Sequence, residues 1–67
     1  MAASNESLGR GLVKVPEAAR FLGLSRSKVY ELMYKGELRY AKIGASRRIP
    51  VEAVEDLVAR NLKGGVQ

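Results

Sequence analysis

The sequence has no cysteine, no histidine and no tryptophan in its 67 residues, and only two prolines. Each gap closes a route to function. Without thiolate or imidazole there is no ordinary zinc, haem or iron–sulfur site, and no base to activate Ser4, Ser7, Ser25, Ser27 or Ser46 for nucleophilic attack. No disulfide or metal supplements the core, so at this length the fold must be economical or supported by a partner. Uninterrupted apolar runs stop at three residues, against about 7–15 for a signal-peptide core and about 20 for a membrane span. The expectation is one small cytoplasmic domain that is not an enzyme, needs no cofactor or metal, and does not engage a membrane.

What is present is positive charge, and it is localised. Twelve lysines and arginines oppose seven acids, a net charge of +5. Residues 1–10 sum to zero, 11–25 to +1 and 50–67 to −1, whereas 26–49 hold Arg26, Lys28, Lys35, Arg39, Lys42, Arg47 and Arg48 against Glu31 and Glu37. A folded block of this kind raises the encounter rate with polyanions, nucleic acid being the commonest large one. A merely solvated basic face has the same composition, so geometry has to decide between them.

Residues 1–11 show neither helical nor strand periodicity and read as a flexible arm, with 12–63 as the domain and 64–67 as a tail. Val15, Ala18, Ala19 and Leu22 fall at helical spacing, with Pro16 suited to the first turn and Gly23 to a left-handed cap. Ser25 can cap a second helix whose buried stripe is Val29, Leu32 and Met33 and which Gly36 ends. Leu38–Ile43 and Arg47–Ile49 around Gly44-Ala45-Ser46 predict a β-hairpin. An inward Leu38 together with an inward Ile43 requires a bend or bulge near Tyr40. Pro50 opens a third helix of about 12 residues, or about 18 Å. Glu52, Glu55 and Asp56 favour its N-terminal end, Val54, Leu57, Val58 and Leu62 form its apolar face, and Gly64-Gly65 stops it. The fold class expected is α+β, mostly α, a small winged helix-turn-helix.

Two helices joined by a three- or four-residue turn pack at a steep angle only with a small residue at their closest approach, which Ala19 supplies. Gly23 permits the turn, Leu24 is expected to plug the gap and Val29 to fix the second helix, in the order of a DNA-binding helix-turn-helix. Opposite the buried stripe of the second helix lie Ser27, Glu31 and Tyr34, flanked by Lys28, Tyr30 and Lys35. Ser27 and Lys28 can reach phosphates or bases, Arg26 the backbone, and Tyr30 and Tyr34 can donate to phosphate. Glu31 can accept from a cytosine amino group or pair with Lys35 four residues on. For the tyrosines, and Tyr30 above all, packing against the hairpin is the competing role.

The stretch Val13–Val58, carrying PEAARFLGLSRSKVYELMYKGEL, then RYAKIG and RRIP, resembles the excisionase-type branch of the MerR-like winged helix-turn-helix proteins, over about two-thirds of the chain. The resemblance implies a helix in the major groove, here residues 26–35, and a wing along the adjacent minor groove or backbone, here Lys42, Ser46, Arg47 and Arg48. Where the family commonly has basic residues after the wing glycine, this chain has Ala45 and Ser46, so Arg47, Arg48 and Lys42 stand in for them. The resemblance further implies repeated sites on double-stranded DNA, bending of the duplex, and help to a phage or transposon integrase in excision; because a lone module of this size reads few bases by itself, cooperative side-by-side self-association on the DNA is expected as well. A small transcription regulator is the alternative role, and a protein-interaction adaptor using the hairpin and the third helix is another. The adaptor reading predicts that Lys28→Ala, Tyr34→Ala and Arg48→Ala leave duplex DNA binding untouched.

Overall fold

Local chemistry starts and stops the first two helices. In the computed structural model, which describes residues 11–64, α1 covers Val15–Leu22 and α2 covers Arg26–Tyr34. Pro16 sits in the first turn of α1, and the Lys14 amide donates to Glu17 Oε1 at 2.9 Å. Ser25 Oγ accepts from the Lys28 amide at 3.1 Å, so one of the donors that a helix start leaves unpaired is satisfied. Both helices end alike. Past α1, Gly23 at φ 70° donates to Arg20 O and Leu24 to Ala19 O; past α2, Gly36 at φ 78° donates to Met33 O and Glu37 to Leu32 O. These are paired Schellman bonds, which need a left-handed residue and therefore favour glycine.

After Glu37 the chain runs in a loop to β2, Ala41–Ile43, which turns through Gly44 and Ala45 into β3, Ser46–Pro50. Ile43 pairs with Ser46, so the hairpin has a two-residue loop. Gly44 at φ 62° takes its first position, as in a type II′ turn. Pro50 is both the last residue of β3 and the cap before α3, Val51–Arg60. A two-residue strand, β1, Leu12–Val13, pairs antiparallel with the far side of β3, and the sheet order is β1-β3-β2. The Gly11 carbonyl continues this ladder by accepting from the Val51 amide at 3.0 Å.

The core holds Val15, Ala18 and Ala19 from α1, Val29, Leu32 and Met33 from α2, Leu38, Ile49, and Ala53, Val54 and Leu57 from α3, with Val13 and Leu22 packed against it. Among the described residues no polar side chain is buried, so the interior asks for no compensating hydrogen bonds. No helix among them is long and apolar enough to cross a membrane.

Several expectations need correcting. Gly11 is tied into the sheet edge and does not belong to an arm; residues 1–10 and 65–67 lie outside the described residues. Leu38–Tyr40 is loop rather than strand, and Ile43 is 60% exposed, so nothing needs to reconcile two inward faces and no bulge is required. Ser46 belongs to β3 and not to the turn. Leu24 lies exposed at the rim of the helix crossing, where it lines an apolar groove with Leu22, Leu32, Leu57 and Val58. α3 is 10 residues long and stops at Asn61, whose Nδ2 donates back to Leu57 O at 2.8 Å. Leu62, 73% exposed, and Val58 therefore leave the core, and Ala53 enters it. Asp56 serves Arg60, four residues on, at 3.0 Å rather than the helix start.

Candidate nucleic-acid interface

The buried stripe of α2 fixes which side is free. Val29 is fully buried, and a residue two positions on points almost directly away from it. That residue is Glu31, with Ser27 one turn before and Tyr34 one turn after, all exposed; Tyr34 is 93% exposed. α3 does not cover this side. It borders α2 on one flank, where Lys28 and Leu32 line the groove with Leu57 and Val58. Arg26, at the first position of the helix, is exposed as well.

The other flank of α2 meets the wing. Tyr30, Met33 and Tyr34 share a hollow with Tyr40 and Arg47, and Tyr30 with Arg47 borders a second hollow lined also by Lys14, Val15, Pro16, Ala45, Ser46 and Arg48. Tyr30 and Arg47 thus form the seam between helix and hairpin. Packing beside the hairpin and facing solvent are not exclusive for Tyr30, which does both.

Strand pairing divides the wing residues into two sets. Lys42 stands directly opposite Arg47, on the side of the sheet that carries buried Ile49; Arg48 stands opposite Ala41 and Ser46 opposite Ile43, on the reverse side. Lys42, Ser46 and Arg47 are exposed, while Arg48 is half-buried and its Nη1 donates to Arg47 O at 2.9 Å. Like charges directly across a ladder oppose pairing, so Lys42 and Arg47 cost the free wing something that an anion would relieve.

On α2, Glu31 engages two cations. Its Oε2 lies 3.0 Å from Lys35 Nζ and 3.5 Å from Lys28 Nζ. The hydrogen bond from Lys35, followed by the charges of Lys28 and Lys35, holds the carboxyl below its ordinary range, and the same bond raises Lys35. The ion pair anticipated with Lys35 is therefore formed, and Lys28 is a second partner.

One cation escaped the sequence reading. Lys14, exposed before α1, borders the same hollow as Arg47 and Arg48. The pairing of β1 with β3, together with the packing of α1 on β3, brings it there, and a two-residue strand leaves no periodicity to read.

The same segment carries the chain's kinship. Residues 12–62 match the model of the helix-turn-helix domain family. The chain belongs to that family. This helix-turn-helix protein is 49% identical over 51 residues to a protein of Saccharopolyspora erythraea named "Probable excisionase", covering 76% of the present chain and 52% of the relative. It is 41% identical over 51 residues to an excisionase of Streptomyces ambofaciens, covering 76% of this chain and 82% of that one. It thus spans about half the length of the first relative and most of the second. No solved structure matches it.

Proposed function

We propose that this helix-turn-helix protein is a DNA-binding excisionase that uses the outward side of α2 as its major-groove reader and the wing as a backbone or minor-groove clamp. The observation that carries this reading is the seam at Tyr30 and Arg47, which joins the uncovered face of α2 to the Lys42/Arg47 pair. In this reading Ser27 and Tyr34 face the groove. Arg26, Lys28, Lys35 and Tyr30 meet its phosphate walls, and Lys42, Ser46, Arg47 and Arg48, with Lys14 beside them, hold the adjoining backbone. The names of the two relatives supply the excisionase role, and the MerR-like branch fits the order of recognition helix and wing.

A single module of this size buries about 600–1,000 Å² of its own surface on DNA and reads few bases. Useful specificity then calls for several copies side by side on repeated sites, with the bend they impose favouring excision by an integrase. The protein performs no bond chemistry in this scheme, and its place is the cytoplasm, on the nucleoid.

Duplex binding measured against salt tests the contact. Neutralising about four to six phosphates gives a slope of log K on log salt near −4 to −5, and a flat response contradicts the DNA reading. Purified protein added to an integrase-driven recombination assay tests the role, with excision expected to rise. Unchanged excision by protein that still binds DNA points instead to a transcription regulator.

A further inference from the structure

Glu31 is the one acid on α2, and it occupies the centre of the outward face. In a surface built to meet phosphates that position is costly. Phosphates line the walls of the major groove and bases its floor, so the flanks of a docked helix face the strongest negative potential and its centre faces base edges. The cations around Glu31 follow that division. Lys28 lies on the flank toward α3, Lys35 falls on the same side seven residues on, just past the helix end, and Arg47 lies beside Tyr30 on the flank toward the wing.

The geometry points to Glu31 as the specificity-determining residue of this helix: its carboxylate accepts a hydrogen bond from the exocyclic amino group of a cytosine, with Lys28 and Lys35 as the counter-ions that make an acid tolerable between two phosphate walls. This rests on the reading of α2 as the major-groove helix. A carboxylate offers about four lone-pair sites, and both lysines approach the same oxygen, Oε2. Two ammonium groups therefore cancel its repulsion without exhausting its capacity to accept. Cytosine alone among the bases presents only a donor at that edge of the groove. The depressed pKa agrees, since an ionised carboxyl is a pure acceptor. A purely structural role is a weak rival: an exposed ion pair of this kind adds little to a helix, and Ser25, the Gly36 turn and the buried stripe already secure α2.

The test is selection from a randomised duplex pool with the whole chain and with Glu31→Gln, followed by competition between duplexes that differ at one position. The native protein is expected to favour cytosine at one position by about tenfold over the other bases, a discrimination typical of one good base contact. Glu31→Gln is expected to lose that preference and to gain adenine, which pairs with an amide on two atoms. It also binds random duplex more tightly, with a salt slope steeper by about one. Lys28→Ala with Lys35→Ala is expected to weaken every duplex while keeping the cytosine preference. Identical base preferences in the native and Glu31→Gln proteins, both folded by circular dichroism, overturn the assignment and leave Glu31 a helix staple. If neither protein binds any duplex at any salt, the DNA reading itself falls, and the assignment with it.

Discussion

The helix pair and the wing are built on opposite terms. α1 and α2 are tied at both ends by caps and glycine turns and share six of the core residues, so their geometry is fixed before anything binds. The wing has one fully buried anchor, Ile49, and past it the hairpin sets Lys42 against Arg47 and leaves Ile43 in solvent. In the proposed complex, rigidity serves α2, which would present side chains in register with base edges, and a charged, thinly anchored hairpin serves a wing that would need only to follow a phosphate backbone.

The largest expected effect breaks the wing at its root. Ile49→Ala should cost about 2–5 kcal/mol, enough to unfold much of a domain this small, whereas Ile43→Ala at the tip should stay within about 0.5 kcal/mol. Urea denaturation followed by circular dichroism measures both, and equal losses at the two sites would erase the distinction between root and tip.

A second test separates stability from binding. Removing both Lys42 and Arg47 to alanine should lower duplex affinity without much sequence preference and make the salt slope shallower by about two. The melting temperature should hold or rise, because the substitution relieves like charges facing across the ladder. Destabilisation comparable to Ile49→Ala would show that the pair supports the hairpin.

The smallest effect lies on α2. The depressed Glu31 carboxyl contributes stability above its ordinary pKa that is lost as pH falls through its lowered value. The raised Lys35 contributes below its own ordinary pKa and loses this as pH rises through its raised value. The difference in melting temperature between native protein and Glu31→Gln should therefore be greatest between these limits, small because both groups are exposed, and should close in acid. A difference that persists once the carboxyl is protonated would put its origin outside the ion pairs.

The same contrast governs what could be read in advance. In the helix pair each device is local: Pro16 and Ser25 near the starts, Gly23 and Gly36 past the ends, and an apolar stripe at helical spacing. In the wing the decisive facts are non-local. Whether Ile43 points in or out depends on where β2 begins, and that follows from the loop over Leu38–Tyr40, which has no turn motif of its own. β1 is too short for a pattern and is defined by its partner, so Gly11 and Lys14 were placed by β3 rather than by their neighbours in sequence. The candidate recognition residues of α2 were legible because their face is the complement of the buried stripe. The division of Lys42 and Arg47 from Ser46 and Arg48 had to await the register.

In the proposed complex the outer face of α2 and the wing meet a duplex as a single surface. Titrating isotopically labelled protein with a selected duplex and following residues 26–35 and 42–48 by NMR addresses this directly. A single surface predicts that both segments shift together, at the same DNA ratio, while Leu22, Leu24 and Val58 in the groove beside α3 stay in place. Movement of one segment without the other, or of the groove in place of both, would contradict it.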